Sequence, residues 1–137
     1  MANEAVIIEL PSNINAVRRT IADGSSGTNI EKGTLMKLTD PNTVEATSSS
    51  ADEWGGVLAM EKVGGDGSTN CSVYLDGVFD MVAQDTITIG EQVAISGANI
   101  IRAATEAEVQ LGQWIGVAEE ASAAGSSETI RVRLRGH

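Results

Sequence analysis

Aromatic residues are nearly missing from this chain: two Trp, one Tyr and one Phe, 3% of 137 residues. A chain of this length buries roughly two thirds of its unfolded surface. Its core must therefore come from Val, Ile, Leu and Ala, of which the branched members favour strands. Cys71 is the one cysteine, so no intramolecular disulfide can form, and it reads as a small buried hydrophobe. The one histidine, His137, is the last residue, where chains fray, which makes it a poor candidate for a general base or ligand. Zinc needs three or four Cys, His or carboxylate ligands at suitable spacing, and the sequence offers no such set, so neither metal nor cofactor is expected. Basic residues are scarce, 9 Lys+Arg against 19 Asp+Glu, giving a net charge of −10. That balance excludes the basic face of a nucleic-acid binder and disfavours an anionic membrane surface. No apolar run approaches the ~18 residues of a membrane span. The start, MANEAVIIELPSN, lacks the positive region and long apolar stretch of a signal peptide, so synthesis in a cytosol is expected.

Short segments of strand character, punctuated by Gly and Ser, fill the chain. They are residues 5–10 (AVIIEL), 16–22, 35–38, 43–46, 56–60, 72–75, 78–82, 86–89, 92–95, 100–103, 115–118 and 129–135. Many short strands at near-regular spacing predict an all-β barrel or sandwich. Ser50-Ala-Asp-Glu53 and Thr105-Glu-Ala-Glu108 both read as capping boxes of very short helices, the second closed by Gly112.

Four segments recur in order. Gly33-Thr-Leu-Met-Lys-Leu38 matches Gly90-Glu-Gln-Val-Ala-Ile95, and Thr43-Val-Glu-Ala46 matches Ile100-Ile-Arg-Ala103. Trp54-Gly-Gly-Val57 matches Trp114-Ile-Gly-Val117, and Ser72-Val-Tyr-Leu-Asp-Gly77 matches Arg131-Val-Arg-Leu-Arg-Gly136. The offset drifts from 57 (33 to 90) to 60 (54 to 114), with the insertion near the second predicted helix, where a loop tolerates it. The expected organisation is an arm over 1–15 and a barrel domain over 16–137, with repeats at about 33–82 and 90–136. Together the repeats are expected to close a small barrel, with Val57 and Val117 in pseudo-symmetric positions.

A catalytic centre is not supported, and the chain reads as a structural or binding protein rather than an enzyme. Gly64-Gly-Asp-Gly67 and Gly24-Ser-Ser-Gly27 lack the Lys-Ser/Thr of a phosphate loop and read as turns. The carboxylate pairs Asp52-Glu53 and Glu119-Glu120 sit in no calcium-binding loop and read as solvated charge. Trp54 and Trp114 read as core or repeat-interface residues, with sugar stacking as the alternative. Two features suggest contact with another molecule. Arg131, Arg133 and Arg135 alternate, and so share one strand face; they meet either an acidic partner or their own carboxylates. The arm carries Val6, Ile7, Ile8 and Leu10 outside the repeat and before Pro11. An apolar strand of this kind is sticky unless covered, so it either adds to another chain's sheet or completes its own barrel. If it is an anchor, deleting residues 2–10 leaves the barrel folded and weakens docking.

The residues Ile30-Glu-Lys-Gly-Thr-Leu-Met-Lys-Leu-Thr-Asp40, Glu61-Lys-Val-Gly-Gly-Asp-Gly-Ser-Thr69, Val73-Tyr-Leu-Asp-Gly-Val-Phe-Asp80, Ile115-Gly-Val-Ala118 and Val132-Arg-Leu134 carry a resemblance over about residues 16–136. In them the chain resembles phage head decoration proteins, also called capsid cement proteins. The resemblance implies a small tulip-like β-barrel and homotrimers on the outside of an icosahedral head, at or near threefold positions. It implies the major capsid protein as partner, and neither catalysis nor cofactor. A glycan- or cell-surface-binding β module of a virion is the alternative; exposed tryptophans would favour it, and burial of both would favour the structural role.

Overall fold

The computed structural model describes residues 3–10, 16–22, 29–123 and 127–135. Pro11, the Gly24–Gly27 loop and His137 lie outside the described residues. The strands are β1 Val6–Glu9, β2 Val17–Ile21, β3 Leu35–Asp40, β4 Thr43–Ala46, β5 Trp54–Leu58, β6 Asn70–Tyr74, β7 Val78–Ala83, β8 Gln92–Gly97, β9 Ile100–Ala103, β10 Trp114–Ala118 and β11 Glu128–Leu134, with one helix, α1 Glu106–Gln110. The predicted strand at 86–89 is only a bridge, Ile87 to Ser122. Among the described residues no helix is long and apolar enough to cross a membrane.

The all-β, two-repeat architecture is as expected, but each repeat closes on itself instead of sharing one barrel. β2-β4-β3-β5-β6 forms one closed barrel; β7, β9, β8, β10 and β11 form the other, and β1 extends the second sheet alongside β7. In both barrels a parallel pair completes the ring: Ile21 opposite Val44 and Ala83 opposite Ile101. Val78–Ala83 therefore opens the second unit, as counterpart of β2, one strand out of phase with repeats drawn at 33–82 and 90–136.

The register confirms the duplication residue by residue. Met36 pairs Gly56 as Val93 pairs Gly116, and Lys37 pairs Trp54 as Ala94 pairs Trp114. Leu58 faces Val73 as Ala118 faces Val132. Even the isolated bridges correspond, Ile30 to Lys62 and Ile87 to Ser122. Each Trp-x-Gly-Val segment is a β-bulge in which one extra residue, Gly55 or Ile115, interrupts the ladder. The shared glycine sits where a side chain would collide, with Val73 at Gly56 and with the Arg133 carbonyl at Gly116.

Equivalent core positions are buried in both halves: Ile21 and Ala83, Met36 and Val93, Val44 and Ile101, Leu58 and Ala118, Cys71 and Ile130, Val73 and Val132. One continuous aliphatic cluster runs through both barrels, and burial there pushes the Cys71 thiol pKa up. Val57 and Val117 occupy the same register position but not the same environment. Val57 is buried beneath the arm, whereas Val117 is half-buried with no such cover. Truncation to Ala is therefore more damaging at Val57.

The barrels are locked together by the turn between β8 and β9. Asn99, with φ 58°, is wholly buried. Its side-chain oxygen accepts from the Leu35 N–H at 2.8 Å, and its own N–H donates to Thr47 Oγ1 at 3.2 Å. Asn42 is the counterpart in the first repeat, with φ 59°, but it is exposed. Asn99→Ala leaves a buried donor unpaired and places alanine in left-handed backbone, which together cost about 2–4 kcal/mol. Asn42→Ala incurs the backbone part and loses one exposed hydrogen bond from Arg19 Nη1, about 1–2 kcal/mol together. Urea denaturation of the two variants checks the difference.

Of the two predicted capping boxes one forms. Thr105 and Glu108 cap α1 reciprocally, and Gly112, φ 76°, ends it with bonds from Gly112 N–H to Val109 and from Gln113 N–H to Glu108, a Schellman closure. At 50–53 there is no helix. Ala51 has φ 62° and donates to the Ile95 carbonyl of the other barrel, while the Asp52 carboxylate accepts from the Ser48 and Ser49 N–H groups. The three extra residues of the second repeat provide the room for α1.

Arg102 on β9 pairs with the buried Glu108 and donates to Ser50 Oγ of the first unit at 2.7 Å. The Arg102 guanidinium, helped by the Thr105 N–H and opposed by burial, holds the Glu108 carboxyl at about 2, against 4.5 ordinarily. A depressed carboxylate pKa stabilises the fold above the unfolded value near 4.5 and loses that contribution as pH falls toward 2. Glu108→Gln is expected to lose on the order of 1–3 kcal/mol at pH 7. The gap to wild type narrows in acid, measured by denaturation at neutral pH and near pH 2. A gap that does not change with pH would contradict the assignment.

Candidate interaction face

β1 is built into its own sheet, which answers one of the two alternatives for the arm. Val6 lies opposite Asp80 and Ile7 opposite Phe79 on β7. On the other side, Ala5 N–H donates to the Gly33 carbonyl of the first barrel at 2.7 Å. Ala5 is buried, and Ile7 and Leu10 pack against the core. The expectation that residues 2–10 can be removed without loss to the fold therefore changes: this segment bridges both units.

Strand alternation turns the other half of β1 outward. Val6 is 59% and Ile8 38% exposed. Across the sheet, Val6 shares a row with Asp80 and Arg131, and the next row carries Val78, Arg133 and Val117. Along β11 and the residue after it, Ile130, Val132 and Leu134 are buried while Arg131, Arg133 and Arg135 are exposed, as the alternation predicted. Neither Arg131 nor Arg133 makes an ion pair with a described residue. Four of the sequence-predicted contact residues, Val6, Ile8, Arg131 and Arg133, thus share one face. Ile7 and Leu10 do not, because they turn inward. Arg135 lies 5.1 Å from the Trp114 ring centroid as a cation–π pair. Val78, Asp80 and Val82 complete the face; the period-two alternation of residues 78–83 was their available signal.

The tryptophans differ. Trp54 is buried and Trp114 is half-buried beneath Arg135, so neither presents an open stacking platform. Where β1 bridges the units lies a pocket of about 370 Å³ lined by Ala5, Val6, Lys32, Val57, Tyr74 and Phe79 among others. The acidic pairs have local duties: Glu53 accepts from Gln113 and Glu120 from the Arg131 N–H. In the Gly64–Gly67 turn, Asp66 accepts from Lys62 and from the Ser68 N–H, which hold its carboxyl below the usual carboxylate range. Among the described residues no three His, Cys, Asp or Glu side chains are grouped to hold a metal.

Tandem five-stranded barrels with an N-terminal strand bridging them define the fold class. No family model matches the sequence, and comparison with curated proteins finds no match. Among solved structures, the chain is similar to the N base of the head fiber gp8.5 of bacteriophage phi29, with a TM-score of 0.53 and 14% identity over 88% of this chain and 94% of that one. At that identity the likeness shows a shared fold.

Proposed function

We propose that this is a phage virion structural protein that decorates the outside of an icosahedral head and cements it. It acts by binding the major capsid protein, as a homotrimer, with no reaction and no cofactor of its own. The observation that carries the proposal is a fold shared with a phage head protein along nearly the whole chain. An exposed face combining aliphatic residues with Arg131 and Arg133, which have no ion partner among the described residues, supports it. A ligand that binds an assembled shell and not its free subunits stabilises the shell by mass action, and a trimer multiplies weak contacts through effective concentration. Val6, Ile8, Arg131 and Arg133 are the proposed shell contacts. Ile7, Leu10 and Arg135 act from behind them, the first two by seating β1 and the last by fixing Trp114. The burial of Trp54, and the Arg135 guanidinium over the half-buried Trp114, favour this role over glycan binding.

The test is cosedimentation with purified, undecorated phage heads, together with the solution mass. Saturable binding by a species of three chains is expected. Failure to bind heads, or a stable dimer at all concentrations, would overturn the corresponding part of the proposal.

A further inference from the structure

The duplication makes the two barrels references for each other, and one site is filled in the first and open in the second. On the first barrel, Gly33 at φ 90° presents its carbonyl to the Ala5 N–H. The arm strand passes so close that any side chain at Gly33 would collide with the Ala5 carbonyl, and the buried Val57 lies beneath it. Gly90 is the counterpart on the second barrel. Its φ is 88°, and its N–H bonds Ala118 as that of Gly33 bonds Leu58. Nothing stands within 4 Å of a side chain placed at Gly90, and among the described residues no backbone donor reaches its carbonyl. Beside it Ile89 is 67% exposed, and Val117 is only half-buried.

We infer that the open surface formed by Ile89, Gly90, Val117 and Arg133 on the second barrel is a docking site for an extended segment of another polypeptide, seated as Ala5–Ile7 is on the first. The backbone is already in the receiving conformation, so a strand gains a carbonyl acceptor and aliphatic contacts without rearranging the barrel. The side chains specify the occupant. Where the first barrel has Tyr74 and Lys32, the second has Arg133 and Ile89, and Arg131 stands next but one on β11. The segment that fits carries a small residue over Gly90, an aliphatic residue against Ile89 and Val117, and carboxylates toward the arginines. A second copy of the chain does not meet this need with its own arm, because that arm is held between β7 and Gly33. A separate acidic, aliphatic segment of a partner is the occupant. Arg131 and Arg133 are shared with the proposed shell-contact face, and docking of the segment is measured without heads, so that it stands or falls apart from the decoration role.

The probe is a peptide of residues 2–10, Ala-Asn-Glu-Ala-Val-Ile-Ile-Glu-Leu, titrated into the isotope-labelled full chain. Saturable amide shifts centred on Ile89, Gly90 and Val117 are expected. Binding should weaken at least tenfold with Ile89→Glu, and likewise with a peptide carrying Glu4→Lys and Glu9→Lys. Arg18→Glu, an exposed charge on β2, should change it less than twofold. Shifts centred on Gly33 and Val57 would mean that the peptide merely displaces the resident arm, and would overturn the inference. So would the absence of saturable binding, or equal binding by the Ile89→Glu protein.

Discussion

Removing residues 2–10 is expected to lower the melting temperature by about 10–20 °C, a loss of roughly 3–5 kcal/mol. The segment provides Ala5, Ile7 and Leu10 to the core, a ladder to β7, and the Ala5–Gly33 bond to the other barrel. Without it, Val57 meets solvent as Val117 partly does now. Phe79 loses the strand that covers it, and Gly77, against which Leu10 packs closely, is uncovered. Single-domain stabilities of 5–15 kcal/mol make such a loss a large fraction of the total. Thermal unfolding followed by circular dichroism checks it. A midpoint within a couple of degrees of the full chain would show that the arm is ornamental to the fold.

Phe79→Ala is expected to cost about 3–5 kcal/mol, as for other buried aromatic truncations. Phe79 is the single phenylalanine of the chain. It is wholly buried, packs with its ring centroid 6.0 Å from that of Tyr74, and sits where β1, the first barrel and β7 meet. The lost volume would merge with the neighbouring pocket instead of collapsing. In the first repeat the equivalent position is Val17, which is only half-buried, so Val17→Ala should cost much less, about 1 kcal/mol. Chemical denaturation of both variants gives the comparison. Equal losses would mean that Phe79 is no more important to the junction than Val17 is to the first barrel.

The strands were legible because their aliphatic residues alternate, and the duplication was legible because bulges and turns demand particular residues. Trp54-Gly-Gly-Val57 and Trp114-Ile-Gly-Val117 are the same bulge: the Trp, the Val and the glycine that admits the neighbouring strand (Gly56, Gly116) recur, and only the extra residue, Gly55 or Ile115, differs. The phase of the repeat was not legible. β2 and β7 share a role but little sequence, VRRTI against VFDMVA, since both are defined by whom they pair with. Self-closure of each barrel was hidden for the same reason: the parallel β2–β4 and β7–β9 pairs are short and leave no turn signature. The helix expected at 50–53 failed because Asp52 turns back to the Ser48 and Ser49 N–H groups, while Ala51 takes left-handed backbone to reach the Ile95 carbonyl, a contact made only once the second barrel is in place. On the candidate face, the arginine stripe could be read directly. The inward turn of Ile7 and Leu10 required knowing which strand β1 joins.

The proposal that the β1–β7–β11 face seats the protein on a phage head is tested most directly by occupancy. The wild type and an Arg131→Glu/Arg133→Glu variant, matched for melting temperature, would be bound to purified undecorated heads and counted per particle at equal concentration. At least a tenfold lower occupancy for the variant is expected, with the difference shrinking as salt screens the arginines. Equal occupancy of the two proteins would contradict the assignment of this face.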